Sequence, residues 1–193
     1  MVKHLYVIRH GQTLFNVRRR IQGWCDSPLT ELGKKQILAA KELLKEIPFD
    51  HYYSSTSERC CDTMEMIIGD QSYIRNKDLR EYNFGMFEGE SEDLHPTWEN
   101  GFSEMYPKYG GETVESFGQR VSKALMEIIQ KEDHYCVLVT SSSGSIIQSA
   151  RQLVGEEKVE EYAKNFPNCG IIHYEIIDNT WVLKEILKPV IGE

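Results

Sequence analysis

The chain alternates short apolar runs with longer amphipathic segments, and this alternation limits the folds open to it. The run from Leu5 to Ile8 is typical of a buried strand. Thr30 can cap a helix whose apolar residues recur at helical spacing as far as Pro48. Strands that alternate with helices imply a largely parallel sheet covered on both faces. We therefore expect an α/β fold, a three-layer α/β/α sandwich with a mixed, mainly parallel sheet.

The remaining elements follow the same pattern with one interruption. We expect a strand at 51–53, helices over 57–68 and 113–131, a strand at 136–139 followed by a Ser/Gly turn and a helix to about 154, and strands near 171–177 and 181–186. From 86 to 112 the pattern has no clear period, which predicts an irregular excursion, part loop and part short helix, near the mouth of the ligand site. Because 193 residues at 40% hydrophobic content can bury one core, we expect a single domain over 1–193.

The charge balance disfavours two classes of partner. A net charge of -8 and a pI near 5.3 argue against a general role in binding nucleic acid or anionic membranes. The one basic run, Arg18-Arg19-Arg20, is short. Such runs are usually a solvated face, but this one lies close to Arg9-His10-Gly11 and could steer an anionic substrate.

Cysteine usage and the lack of long apolar stretches bear on the compartment. The five cysteines show neither C-x-x-C spacing nor an even count, which argues against a disulfide framework or a zinc site and fits a reducing cytoplasm. The apolar stretch at the N-terminus is too short for a secretory leader, and no other stretch approaches the length of a membrane span. We therefore expect a cytoplasmic protein.

Polar sequences follow two of the expected strands. Arg9-His10-Gly11 ends the first strand, and the Thr-Ser-Ser-Ser-Gly sequence at 140–144 ends the strand that begins at Cys136. In parallel sheets, ligands bind beyond the carboxyl ends of the strands. By itself Arg-His-Gly is weak evidence, because a histidine at a strand end is more often a structural residue than a nucleophile.

The neighbouring sequence strengthens the signal. The motifs, in chain order, are Arg9-His10-Gly11-Gln12-Thr13 with Asn16; Gln22-Gly23-Trp24 with Asp26-Ser27-Pro28-Leu29-Thr30 and Gly33; Ser54-Ser55 with Arg59; and Leu79-Arg80-Glu81 with Phe84-Gly85 and Glu88-Gly89. Together they resemble the histidine phosphatase superfamily, the phosphoglycerate mutase-like proteins. The resemblance runs from Lys3 to about Leu153.

The resemblance implies a role for each matching residue. It implies that His10 is the phosphorylated nucleophile, that Glu81 gives a proton to the leaving oxygen, and that Arg9 and Arg59 bind phosphate. The expected substrate-binding residues are Gly11, Thr13, Asn16, Gln22 and Gly23. The expected ligand is a small phosphorylated metabolite, with no nucleic acid or membrane as partner.

The chemistry of these residue types supports the same assignment. A phosphomonoester carries about two negative charges, so its pocket needs guanidinium forks, which Arg9 and Arg59 can supply, and neutral donors such as Asn16 and the Gly11 amide. The neutral imidazole of His10 can attack phosphorus in line. Phosphate nearby should raise the pKa of Glu81 and keep it protonated. No cofactor or metal is needed, and the sequence shows no carboxylate–histidine cluster at metal-binding spacing.

One position departs from the family pattern. The family has a second catalytic histidine in a strand-end sequence like Val-Ser-His-Gly-Gly, and the flanking residues here place Ser142 at that histidine; a shift of one residue places Ser141 or Ser143 there instead. His134 lies at the opposite end of the strand. His95 could replace the missing imidazole only if the irregular excursion folds over the site.

The sequence therefore supports one leading function and leaves alternatives open. We expect a phosphomonoesterase that acts through a phosphohistidine at His10 and is weakened because a serine hydroxyl donates only a neutral hydrogen bond. The alternatives are a catalytically inactive phosphate-binding or phosphometabolite-binding protein and a phosphoglycerate mutase-like phosphotransferase. The serine could also be a substitution introduced at the active site. The resemblance to the shorter, phosphatase-type members of the family favours hydrolysis.

Overall fold

A six-stranded mixed sheet forms the centre of the protein. The computed structural model describes residues 1–96, 101–163 and 165–191. The strands are β1 (Val2–Arg9), β2 (His51–Ser55), β3 (Ile74–Asn76), β4 (Cys136–Ser141), β5 (Ile171–Ile177) and β6 (Thr180–Leu187), in the order β3-β2-β4-β1-β5-β6. The strands β3, β2, β4 and β1 are parallel to one another, whereas β5 pairs antiparallel with β1 and β6 pairs antiparallel with β5. The expected mixed, mainly parallel sheet is confirmed.

Helices cover both faces of this sheet. They are α1 (Leu14–Arg18), α2 (Glu31–Leu44), α3 (Glu58–Ile68), α4 (Phe102–Lys108), α5 (Val114–Ile129), α6 (Ser143–Val154) and α7 (Glu160–Ala163). Short 3₁₀ turns occur at Lys77–Leu79, Gly85–Phe87, Glu92–Leu94 and Glu156–Lys158. Within the described ranges, no helix combines the length and the apolar character needed to cross a membrane.

Alternation along β1 divides the interior into two hydrophobic cores. Leu5 and Val7 pack on one face of the sheet with the buried residues of α5 and α6. Tyr6 and Ile8 point to the other face and pack with those of α2 and α3. Successive side chains of a strand alternate between faces, so a strand that is apolar throughout needs a helical layer on each side. This produces the three-layer sandwich expected from the sequence.

Most of the expected elements are present with ends shifted by a few residues. Thr30 caps α2, accepting a hydrogen bond from the Gly33 amide at 3.0 Å, and Thr113 caps α5 in the same way. The expected Ser/Gly turn after β4 is wrong. The strand extends to Ser141 and α6 begins at Ser143, because Ser142 takes the extended backbone conformation of a residue that precedes a helix.

The short elements β3, α1 and α7 were not expected from the sequence. The strand β3 has three residues, none of them buried, and α1 has five, so neither shows an apolar period. A capping box between Thr13 and Asn16 holds α1 instead. In the excursion from 86 to 112, two 3₁₀ turns and α4 confirm the mixture of loop and short helix, but its residues 97–100 lie outside the described part.

Candidate active site

A cavity of about 400 Å³ opens at the carboxyl ends of β1 and β4. Five of the predicted site residues line it: Arg9, His10, Asn16, Gln22 and Glu81. Ser143 and Gly144, at the start of α6, line the same cavity. The two strand ends that the sequence singled out therefore meet at one site, as expected for parallel neighbours.

His10 is held as a neutral imidazole. It is buried, and its Nδ1 lies 2.8 Å from the carbonyl oxygen of Gly11. A carbonyl only accepts, so Nδ1 carries the proton and Nε2 keeps its lone pair. Burial, followed by the positive charges of Arg59 and Arg9, lowers the pKa of His10 well below its usual value. The ring is thus prepared for nucleophilic attack from Nε2.

Arg59 lies directly behind the cavity wall. Its Nη1 donates to the Cys25 carbonyl and to Asp26 Oδ1, at 2.9 and 3.0 Å. Its Nη2 donates to the Gly23 carbonyl at 2.8 Å and to Ser142 Oγ at 3.3 Å. The guanidinium therefore anchors the loop after α1 to the start of α6.

Three buried donors around the cavity lack a hydrogen-bond partner among the described residues. They are Nε of Arg9, Nε of Arg59 and Nε2 of Gln22. The Arg9 side chain is otherwise held through Nη1, which donates to the Phe166 carbonyl. Buried donors in native proteins are nearly always partnered, so unpartnered donors on the lining residues Arg9 and Gln22 and on the adjacent Arg59 indicate a site for an anionic, hydrogen-bond-accepting ligand.

Glu81 is the buried carboxyl group of the site. Its Oε1 accepts from the Tyr82 amide at 2.8 Å and its Oε2 from the Gly144 amide at 2.7 Å. Burial raises the pKa of Glu81, although these two hydrogen bonds and the charges of Arg59 and Arg9 oppose the shift. A carboxyl group with a raised pKa keeps its proton to higher pH and can act as a general acid.

Three predicted substrate-binding residues have structural roles in this arrangement. The Gly11 amide donates to Thr63 Oγ1 at 3.1 Å, so it is not the free phosphate donor that the sequence predicted. Thr13 Oγ1 caps α1 and donates to Gln22 Oε1 at 2.8 Å, which leaves the amide nitrogen of Gln22 unpartnered among the described residues. Gly23 accepts from Arg59. We therefore omit Gly11, Thr13 and Gly23 from the proposed ligand contacts.

Comparison with known proteins identifies the family. A model of the histidine phosphatase superfamily (branch 1) matches residues 5–188. This chain belongs to that superfamily. Probable phosphoglycerate mutase GpmB of Proteus mirabilis is 27% identical over 187 residues, which cover 92% of this chain and 87% of the relative.

Solved structures of this superfamily type share the fold. Phosphoglycerate mutase from Bacillus anthracis str. Sterne matches with a TM-score of 0.82 at 27% identity, covering 95% of this chain and 92% of that one. A phosphoserine phosphatase mutant from Entamoeba histolytica, solved in complex with phosphoserine, matches with a TM-score of 0.81 at 25% identity, covering 95% of both chains. The expected family and enzyme type, a phosphatase or mutase of the histidine phosphatase kind, are confirmed.

The serines after β4 differ in their contacts. Ser142 is buried, and its Oγ accepts from Arg59 at 3.3 Å. Ser141 donates to the Leu79 carbonyl instead, and Ser143 lines the cavity. Of the three, Ser142 is the one bonded to an expected phosphate-binding arginine, which supports the alignment that places it at the family's second histidine.

Two other histidines are candidates for the second imidazole that Ser142 does not supply. His134 bonds to Tyr53 Oη at 2.8 Å and to Asp133, at the amino end of β4, and so lies far from the cavity. His95 does line the cavity, bonded through Nδ1 to the Tyr106 hydroxyl, and burial lowers its pKa. A second imidazole therefore lines the cavity, but the excursion carries it, whereas the family's second histidine lies at a strand end.

Sequence reasoning missed the contribution of α6 to the cavity. Gln148 and Arg151 line it, at four and seven residues after Gly144. Helical spacing from the strand-end motif could have found them. The basic run Arg18-Arg19-Arg20 was expected either to face solvent or to steer an anionic substrate. Arg20 lines the cavity, whereas Arg19 pairs with carboxylates of the 3₁₀ turn Glu92–Leu94.

A carboxylate–histidine cluster does exist, contrary to expectation, at the opposite end of the sheet. His51, Asp133 and His134 place their side-chain ligand atoms within 4.8 Å of one another. The two rings stack with centroids 3.6 Å apart, and each ring has a further partner, Asp50 for His51 and Tyr53 for His134. Stacked parallel rings cannot direct their in-plane lone pairs at one ion, so this cluster is a packing arrangement.

The contact between Gly144 and Glu81 yields a prediction for stability. A Cβ at residue 144 would lie 2.3 Å from Glu81 Oε1, and the carboxyl group is fixed by two backbone amides. We expect Gly144→Ala to lower the free energy of unfolding by about 1–3 kcal/mol, measured by urea denaturation.

The matched control is Gly118→Ala in α5. There a Cβ meets the flexible amide tip of Gln152, 2.5 Å from Nε2, which can swing aside. Equal destabilisation by the two substitutions would contradict the close packing of Gly144 on Glu81.

Proposed function

We propose that this protein hydrolyses a small phosphomonoester through a phosphohistidine at His10. The observation that carries the proposal is a neutral imidazole in a cavity whose lining residues Arg9 and Gln22 have unpartnered buried donors, with a third on the adjacent Arg59, among the described residues. Those donors, on Arg9, Arg59 and Gln22, match the oxygens of a phosphoryl group. This cavity therefore supplies both a nucleophile and an anion site.

The reaction takes two steps that use the same two groups. In the first, His10 Nε2 forms a bond to phosphorus, the bond from phosphorus to the ester oxygen breaks, and Glu81 gives its proton to the departing alcohol. In the second, water attacks phosphorus and transfers a proton to the Glu81 carboxylate while the P–N bond breaks. Phosphate leaves, and both residues return to their starting protonation states.

Ser142 sets the expected speed of this reaction. Its hydroxyl is a neutral group already bonded to Arg59, whereas the family's histidine at that position is an imidazole. Stabilisation of charge as the phosphoryl group moves therefore falls on Arg9, Arg59 and the unpartnered amide of Gln22. Slow turnover with retained phosphate affinity follows, and complete loss of turnover would make the chain a phosphometabolite-binding protein.

A direct test is the detection of phosphate on the nucleophile. We expect mass spectrometry of the protein, quenched at alkaline pH during turnover of a chromogenic aryl phosphate, to find phosphate on a peptide that contains His10. His10→Gln should abolish the adduct. His95→Gln is the control, because His95 is the other histidine of the described cavity lining, and this variant should retain the adduct. An adduct on His95, or turnover that survives His10→Gln, would reject His10 as nucleophile.

Restoring the missing imidazole should increase the rate. We expect Ser142→His to raise kcat for an aryl phosphate by about 10²–10³-fold, the usual value of one donor to the developing charge. Inorganic phosphate binding and thermal unfolding are measured on both proteins, so that a poorly folded variant is recognised. Background rates in both proteins, with phosphate binding intact, would favour the binding-protein alternative over the enzyme.

Glu81 should matter most when the leaving group is poor. We expect Glu81→Gln to lower kcat about 10²–10⁴-fold for an alkyl phosphate, and less for a nitrophenyl phosphate whose leaving oxygen needs little protonation. Because the pKa of Glu81 is raised, activity in the unsubstituted chain should fall only as pH rises above the usual carboxyl range, and Glu81→Gln should remove that fall.

Glu90→Gln, at an exposed position of the same segment, is the control for this substitution. If both leaving groups lose rate equally in Glu81→Gln, then Glu81 is not the proton donor.

A further inference from the structure

The cavity continues past the catalytic end along one face of α6. Gly144, Ile147, Gln148 and Arg151 line it at spacings of three and four residues, which places them on one side of the helix. Gly144 marks the catalytic end because its amide bonds to Glu81. Arg151 lies seven residues later, about 10 Å along the axis at about 1.5 Å per residue.

The Arg151 side chain lines the same cavity as His10 and Glu81. In a helix the Cα–Cβ bond is tilted towards the N-terminus, so this side chain covers the turn that contains Ile147 and Gln148. Arg151 and His10 therefore line one cavity of about 400 Å³, a volume suited to a small metabolite.

Arg151 is incompletely satisfied by the described residues. Its Nε is buried and has no hydrogen-bond partner there. Its charge partner is Glu156, whose Oε1 lies 3.6 Å from Nε and whose side chain is 74% exposed. An exposed ion pair of this length contributes little, so a ligand anion can displace Glu156.

The rest of the lining suits a substrate with charge at its ends. The other charged residues of the cavity are Arg9, Arg20, Glu81 and Glu92, so three arginines face two carboxyl groups. Apolar side chains fill much of the remaining wall, among them Phe84, Phe102, Val114 and Phe117. A short carbon skeleton fits against them.

We propose that Arg151 binds a second anionic group of the substrate, a carboxylate or a further phosphate, while the first phosphoryl group lies at His10. The inference rests on the proposed function, because it places the scissile phosphate at the catalytic end. It makes Arg151 a specificity-determining residue. It also defines the substrate as a phosphomonoester with two anionic ends separated by a short apolar body.

Binding of stable phosphonates tests this assignment without requiring turnover. The probes are inorganic phosphate, propylphosphonate with one anionic end, and phosphonobutyrate and a propane bisphosphonate with two, each titrated calorimetrically into the unsubstituted chain. We expect at least one two-ended probe to bind at least about tenfold more tightly than propylphosphonate. The tighter of the two identifies the second anion as carboxylate or phosphate.

Three substitutions test whether the gain in affinity comes from Arg151. We expect Arg151→Gln to remove the advantage of the two-ended probe, and Arg75→Gln, an exposed arginine of β3 outside the cavity lining, to keep it. Glu156→Gln should increase that advantage about two- to fivefold by releasing Arg151 from its ion pair.

The outcomes separate this inference from the proposed function. Equal binding of one-ended and two-ended probes, or an advantage that persists in Arg151→Gln, overturns the role of Arg151 and leaves the phosphate site standing. If neither inorganic phosphate nor any phosphonate binds, the proposed function and this inference fail together.

Discussion

Arg59 carries a guanidinium group into the interior, and the segments around the site are arranged about that buried charge. Asp26 neutralises it at 3.0 Å, and the carbonyls of Gly23 and Cys25 each accept a further hydrogen bond from it. A buried cation is tolerated only when charged and polar groups surround it. The same charge disfavours a proton on His10, so the requirement that folds the loop also prepares the nucleophile.

Burial shifts the pKa values of His10 and Glu81 in opposite directions. An imidazole is charged when protonated, so loss of water lowers the pKa of His10. A carboxyl group is charged when deprotonated, so the same loss raises the pKa of Glu81. Exclusion of water therefore favours the neutral form of both residues, the form in which the proposed function needs His10 as nucleophile and Glu81 as acid.

The sequence predicted the sheet and the residues at strand ends better than the residues between them. Apolar strands and capped helices carry local signals, as Thr30 does for α2, and adjacent parallel strands bring His10 and the serines after β4 together by necessity. The partners of backbone amides carry no such signal. The Gly11 amide bonds to Thr63, which lies 52 residues later in the chain, and only the tertiary structure shows that it is occupied.

The part of the site on α6 was hidden for a different reason. Helical spacing from the strand-end motif places Gln148 and Arg151 on the face of α6 that carries Gly144, but their composition is that of an ordinary solvent-facing helix surface. His95 was hidden because the excursion that carries it has no period from which its direction can be predicted. The position of α6 brings Gln148 and Arg151 to the cavity, and the tertiary fold of the excursion brings His95 there.

The proposed nucleophile and the proposed acid lie on parts of the molecule that differ in how they are anchored. His10 directly follows β1, which is paired on one side with β4 and on the other with β5, whereas Glu81 follows a single 3₁₀ turn outside the sheet. Segments that are not inserted in a sheet open at lower free energy than central strands. Amide hydrogens around His10 should therefore exchange with solvent only on global unfolding, whereas the segment around Glu81 can open while the nucleophile keeps its native surroundings.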